Sequence, residues 1–170
     1  MSSAGAGAAT GGSRWKPVAS AAAGAVGLAA LGAVTTDIGP WYLSLKEPPW
    51  KPPDILFGPA WTTIFALAAI SGVIAWRRAE TRSQRDWIPV LFAVNAFLNV
   101  LWSLLFFRLH RPDWALAEVG FLWLSILVLI LVLGRIARPS GWLLAPYLAW
   151  VTFATALNLA VVRLNAPFGS

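Results

Sequence analysis

Five long apolar runs constrain this chain more tightly than any other feature. Val18–Thr36, Phe57–Trp76, Trp87–Phe107, Trp114–Gly134 and Trp142–Val162 contain a single charged residue between them, Glu118. Each of the last four is about 20 residues, which at about 1.5 Å per helical residue gives roughly 30 Å, the thickness of a bilayer's hydrocarbon core. They are continuous Leu, Ala, Val and Trp, not the alternating segments of about ten residues that a membrane β-barrel needs. A soluble fold would lack polar surface: 58% of the 170 residues are hydrophobic and only 12% are charged, about half the charged share of an ordinary globular domain. The expected class is an all-α integral membrane protein, a multi-pass bundle of five transmembrane helices.

The first run is the ambiguous one. Arg14 and Lys16 precede an Ala/Gly-rich stretch, a pattern that a secretory signal peptide also shows. Its length, and the lack of a clear small-x-small site before a soluble domain, favour a retained helix. Ala21, Ala25, Ala29 and Ala33 form a ridge at i+4 spacing suited to close packing in lipid. Residues 1–16 are expected to be a disordered tail, 17–165 one transmembrane domain, and 166–170 a short C-terminal tail.

The edges of the runs carry their own markers. Pro59 and Pro89 are expected in first helical turns, where a missing N–H costs little. Asp113 suits an N-cap. Trp76, Trp87, Trp114 and Trp142 suit interface anchors. With five spans, the N-terminus and the Arg77–Asp86 and Arg135–Gly141 loops share one side and eight of the 13 basic residues, leaving five opposite. The positive-inside bias then places the N-terminus inside and the C-terminus outside.

The same basic residues explain the net charge of +6 as headgroup and topology determinants, so no nucleic-acid partner is expected. There is no cysteine and only one histidine, His110. That removes disulfide and thiolate chemistry and argues against a multi-histidine metal centre or a Ser-His-Asp triad. No catalytic residue, metal site or obligatory cofactor is expected.

The segment from Asp37 to Pro59, DIGPWYLSLKEPPWKPPDILFGP, is too long and too aromatic for a passive connector. Its prolines forbid a long helix. Trp41, Tyr42 and Trp50 bring apolar bulk with polar handles. The expectation is a rigid aromatic lid over the helix ends. Within the runs, Asn95 and Asn99 share a helical face with Trp102, and Asn158 lies two turns beyond Trp150. Two readings of these amides stand: hydrogen bonds between helices, or orientation of a ligand's polar edge in an apolar pocket. Glu118, about one turn inside its run, suits the helix dipole or a reach to an interfacial arginine.

Several of these motifs together resemble the TspO family of tryptophan-rich sensory and translocator proteins. Trp41-Tyr42-x-x-Leu45-Lys46, then Pro49-Trp50-x-Pro52-Pro53 and Phe57-Gly58-Pro59-x-Trp61-Thr62, are similar to its first loop and second helix. Asn95-x-x-x-Asn99-x-x-Trp102 resembles its third helix, and Pro146-Tyr147-Leu148-Ala149-Trp150-x-x-Phe153-Ala154-Thr155-x-Leu157-Asn158 its fifth. The resemblance implies a five-helix bundle, commonly a homodimer, whose cavity under the first loop takes porphyrins such as protoporphyrin IX and haem, or other hydrophobic small molecules. Matched residue by residue, that ligand would meet Tyr42, Trp50, Trp61, Asn95, Asn99, Trp102, Trp150, Ala154 and Asn158. Trp61 and Trp150 are expected to face one another across the cavity, with Lys46 and Lys51 meeting porphyrin carboxylates.

Two departures stand out. Asn95 replaces the glutamine of many members, and Leu159 stands where the animal sterol motif has tyrosine, which lowers the sterol reading. A receptor or sensor is the leading functional expectation. Light-dependent porphyrin degradation and transport of tetrapyrroles or sterols are the alternatives.

Overall fold

A computed structural model describes residues 15–168; the expected N-terminal tail, apart from Trp15 and Lys16, and the last two residues lie outside the described residues. Five segments are long and apolar enough to cross a membrane: Lys16–Thr35, Asp54–Arg78, Arg82–Arg108, Pro112–Ile136 and Arg138–Asn165. They comprise helices α1 (Lys16–Thr35), α3 (Phe57–Arg78), α4 (Arg82–Ser103), α5 (Pro112–Ile136), α6 (Arg138–Leu143) and α7 (Ala145–Asn165), with a short α2 (Pro40–Ser44) in the long loop. No strand occurs among the described residues. Lys16, expected in the tail, already begins α1.

The helices run past the apolar segments that mark them, and the expected inner loops shrink accordingly. The Arg77–Asp86 stretch is helical except for Ala79, Glu80 and Thr81. Thr81 caps α4: its hydroxyl accepts from Gln84 N–H at 3.2 Å and the Gln84 side chain accepts from Thr81 N–H at 3.2 Å. That reciprocal cap starts the helix at Arg82, so Pro89 sits inside α4 rather than in its first turn. Pro59 does fall in the first turn of α3. The Arg135–Gly141 stretch is also helical, apart from an extended corner at Ala137. Pro146 lacks an N–H for the helical ladder, and α6 and α7 meet at Leu144 instead of forming one rod. Gly141 lets α6 lie against the end of α5: a Cβ there would stand 2.9 Å from the Ile130 carbonyl oxygen.

At the start of α5, Arg111 takes the cap position and Pro112 the first turn. Asp113 therefore is not the N-cap; it lies inside the first turn and pairs with Arg111. Trp87, Trp114 and Trp142 are exposed, as interface anchors should be, whereas Trp76 is half-buried against the core.

α5 carries the most buried face, with Ile126, Leu129 and Leu133 fully enclosed. α1 is the opposite case, and Thr35 is its one buried residue. The alanine ridge on α1 is split: Ala21 and Ala25 are half-buried, while Ala29 and Ala33 are exposed and line an internal cavity. The end of α1 meets the end of α4, where the Arg108 guanidinium donates to the Val34 carbonyl at 2.7 Å. Asn165, ending α7, bonds to Lys46 in the long loop that follows α1. The start of α1 and the end of α7 therefore lie at opposite ends of the bundle. Reporter fusions at the two termini should read opposite compartments, with the N-terminal fusion inside; the same compartment for both would contradict the five-span topology.

Candidate functional site

The long loop is tied down at several points before any cavity forms beneath it. Trp41, on α2, stacks on His110 with ring centroids 4.1 Å apart and meets Phe106 edge-on at 6.2 Å. His110 adopts φ of 54°, a left-handed conformation uncommon for a non-glycine residue, and so ends the α4 segment with its ring turned to the loop. Tyr42 packs on Phe107 at 5.6 Å. The last turn of that segment, Leu104–Arg108, is π-helical, and within it Phe106 is buried while Phe107 is half-buried. Asn165 clasps the loop from α7: its Oδ1 accepts from Lys46 N–H at 2.7 Å and its Nδ2 donates to the Lys46 carbonyl at 2.9 Å. These contacts make the expected lid an ordered one.

Beneath it lies a cavity of about 490 Å³, within the range of roughly 300–1,000 Å³ for small-molecule sites. Its roof is Tyr42, Leu45, Glu47, Lys51 and Asp54, and its walls come from α1, α3, α4 and α7. The α1 wall is only Ala29, Gly32, Ala33 and Thr36. Those small side chains leave empty the space that larger residues would fill.

Seven of the nine expected site residues line this cavity: Tyr42, Trp61, Asn99, Trp102, Trp150, Ala154 and Asn158. Trp50 does not. It is 49% exposed and packs edge-on against Phe153 of α7, 5.9 Å away. Asn95 does not line it either, because its amide is buried and spent within the bundle. Asn95 Nδ2 donates to Ser125 Oγ at 2.9 Å, and its Oδ1 accepts from the Tyr147 hydroxyl at 3.1 Å. Tyr147 accepts in turn from Asn99 Nδ2 at 3.3 Å. The chain Asn99–Tyr147–Asn95–Ser125 thus joins α4, α7 and α5. Asn99 belongs to both settings, holding Tyr147 through its nitrogen and reaching the cavity.

Asn158 touches the cavity but directs its amide elsewhere. Oriented to satisfy both ends, it donates to the Pro112 carbonyl at 3.0 Å and accepts from Leu116 N–H at 3.1 Å. It ties α7 to the first turn of α5. Glu118 reaches no arginine; it is buried, and neither carboxyl oxygen has a hydrogen-bond partner among the described residues.

Trp61 and Trp150 do not face one another across a gap. They meet edge to face, 6.5 Å apart at 84°, and together form one wall. α3 and α7 are neighbours in the bundle, so the two indoles pack directly. Among the described residues the indole N–H groups of Trp61, Trp102 and Trp150 make no hydrogen bond within the protein, in contrast to Trp123, whose Nε1 donates to Thr152 at 2.9 Å. Lys46 is not on the cavity lining, and its backbone is held by Asn165. Lys51 is already paired: its ammonium contacts Glu47 and, at 2.6 Å, Asp54 Oδ1.

The motifs missed Tyr147 as a hydrogen-bond hub and the small α1 face as a wall. Two amides on one helical face without partners in their own run were the available signal for the first. Nothing in the α1 sequence separates a cavity wall from a packing ridge.

Residues 18–164 match the TspO/MBR family. The chain belongs to that family. The match begins with the first apolar run and takes in all five. The chain is similar to the tryptophan-rich protein TspO of Chlorobaculum tepidum, 38% identical over 130 residues, which covers 74% of this chain and 79% of that protein. It is similar to the tryptophan-rich sensory protein of Cereibacter sphaeroides, 36% identical over 125 residues, covering 74% and 77%. It is also similar to the translocator protein of Bos taurus, 32% identical over 126 residues, covering 74% and 75%.

The geometry makes two stability predictions. Tyr147→Phe keeps the ring volume but leaves both Asn95 and Asn99 short of a partner. It should lower unfolding stability in detergent by about 1 kcal/mol, the scale of a polar contact inside a membrane bundle, read as a fall in melting temperature. Asn165→Ala should free the loop at Lys46 while leaving the bundle intact, so limited proteolysis should cut between residues 44 and 53 several-fold faster; an unchanged cutting rate would mean the aromatic contacts alone hold the lid.

Proposed function

We propose that this protein is a membrane sensor or translocator that binds a porphyrin, such as protoporphyrin IX or haem, or a related planar hydrophobic molecule, in the cavity under its first loop. The sensor or translocator role follows from membership of the TspO/MBR family and from relatives that carry those names. The porphyrin reading rests on the walls. Trp61, Trp102 and Trp150 bring three indoles to one chamber beside Phe57, Phe65 and Phe106. A flat π-system gains most from such surfaces, because stacked and edge-on aromatic contacts add to the burial of area. No histidine, cysteine or methionine is on the lining. A tetrapyrrole would therefore be gripped by its faces and edges rather than through a histidine or sulfur bond to a central metal.

Binding, rather than ion-coupled transport, is favoured by the helices. Coupled transporters break helices and collect charge near mid-membrane. Here α3 and α5 run unbroken through the bundle, and the breaks at Leu104–Arg108 and Leu144 lie towards span ends.

The decisive test is a titration of protoporphyrin IX, read by tryptophan quenching, into purified wild type, Trp61→Phe and Trp150→Phe. Each substitution keeps most of the packing volume and removes stacking area and an indole N–H. Each should weaken binding by about 1–2 kcal/mol, roughly five- to thirtyfold. Unchanged affinity in well-folded variants would move the ligand out of this chamber.

A further inference from the structure

The hydrogen-bond chain behind the cavity has a direction, and that direction is set at its far end. Ser125 donates its hydroxyl proton to the Leu122 carbonyl of its own helix at 2.7 Å. A hydroxyl has one proton to give, so Ser125 Oγ can only accept from Asn95, whose Nδ2 lies 2.9 Å away. The Asn95 amide is thereby turned with Oδ1 towards Tyr147, which donates to it at 3.1 Å. Tyr147 has then spent its own proton and accepts from Asn99 Nδ2 at 3.3 Å. Each bond fixes the next, and the last leaves Asn99 Oδ1 without a partner among the described residues.

That oxygen is not sealed in. Asn99 and Ser103 share a face of α4 one turn apart, and both are buried residues that line the cavity. Ser103 Oγ also has no partner among the described residues, yet neither oxygen is enclosed as those of Glu118 and the Ser140 hydroxyl are. The open space beside them is the cavity. The other side-chain amide and hydroxyls on the spans' share of the lining are committed: Thr36 to the Gly32 carbonyl, Thr62 to the Gly58 carbonyl, and Asn158 to α5. Trp61, Trp102 and Trp150 bring N–H donors to the same chamber and no acceptor. Asn99 Oδ1 is therefore the scarce group there, with the Ser103 hydroxyl, able to give or to accept, beside it.

Resting on the porphyrin reading of the cavity, we propose that Asn99 Oδ1 and Ser103 Oγ form a polar subsite that recognises a hydrogen-bond donor, an outward O–H or N–H, on the rim of a flat tetrapyrrole. Ser125, Asn95 and Tyr147 are positioning residues: they are not on the cavity lining, but they fix the sense of the Asn99 amide. A hydroxyl on the ligand's rim finds its acceptor. A carbonyl in the same place sets one acceptor against another and leaves Asn99 unpaired, which a buried polar site penalises. The subsite makes no demand on the ligand's carboxylates, so free-acid porphyrins stay within the class. Loss of the Ser125 hydroxyl undoes the assignment from its far end. Asn95 is then free to turn over, Tyr147 to donate to Asn99 Oδ1, and the Asn99 N–H to face the cavity.

The test compares haematoporphyrin with diacetyldeuteroporphyrin. Both are free dicarboxylic acids on the same ring, and they differ in carrying hydroxyethyl or acetyl groups at the same rim positions. Each is titrated in the same detergent into wild type, Asn99→Leu, Ser125→Ala and Ser125→Thr, with circular dichroism as the fold control and protoporphyrin IX as the reference ligand. Partition into detergent is common to all four proteins and cancels in the comparison. Asn99→Leu and Ser125→Ala should each shift the affinity ratio away from haematoporphyrin by roughly fivefold, the scale of one buried hydrogen bond. Ser125→Thr keeps the hydroxyl and should keep the wild-type ratio. If the porphyrins bind and the ratio is the same in wild type, Asn99→Leu and Ser125→Ala, the inference is overturned while the porphyrin reading stands. It is equally overturned if Ser125→Thr shifts the ratio as far as Ser125→Ala, because altered packing would then account for both. If the wild type binds none of the three porphyrins, the porphyrin reading itself fails and the inference falls with it.

Discussion

Hydrocarbon supplies no hydrogen bonds, so polar side chains inside this bundle turn to their own helix, as Thr155 does to the Val151 carbonyl, or to a neighbouring one. That constraint sets the architecture. Asn99, Tyr147, Asn95 and Ser125 join α4, α7 and α5. Asn158 adds a second tie from α7 to the start of α5. At the other end, Ser71 on α3 donates to the Ser140 carbonyl on α6 at 2.8 Å. These bonds fix rotation as well as distance, because an amide meets its partner in only one helical phase. α1 has no buried side-chain bond of this kind to another helix. Its tie, the Arg108 contact to Val34, is at its end and exposed. The helix without a polar anchor packs on α3 and borders the cavity with small side chains, Ala29, Gly32 and Ala33.

The same reasoning explains why the loop is needed. A chamber left open at the bundle's end would fill with water, and its aromatic walls would lose most of their attraction for an apolar ligand. Proline limits the open forms the loop can take. The Trp41–His110 stack and the Asn165 clasp then fix it to two different spans. Because the clasp uses the backbone of Lys46, it constrains the loop's path without depending on that residue's side chain.

Five spans were legible because hydropathy over about twenty residues is a strong signal. Their ends were less so. Arg82 to Asp86 and Arg138 to Gly141 are polar or small and read as loops, yet they are helical, since the Thr81–Gln84 cap and the Ala137 corner place the boundaries. Seven of the nine residues expected at the site from the motifs do line the cavity. What those motifs could not show was the division of labour among residues that share a face. Asn95 and Asn99 are one turn apart, but Asn95 points to Ser125 and leaves the cavity to Asn99. Trp50 sits among lid residues, but its ring packs on Phe153 and does not line the cavity. Such choices depend on which neighbour lies across the gap, and that information is spread over helices far apart in sequence. Glu118 and the Ser140 hydroxyl are buried with no hydrogen-bond partner among the described residues, which their sequence neighbours give no sign of.

Charge and aromaticity divide the cavity between them. The indole walls act by area and stacking, which reward any large flat ligand and discriminate weakly among them. The charged residues on the lining, Lys51, Glu47 and Asp54, all belong to the loop and its junction with α3, whereas the indoles belong to the spans. Lys51 is the enclosed member of the cluster, and Glu47 and Asp54 keep contact with water. Substitutions among these loop charges therefore leave in place the hydrogen bonds that hold the helices.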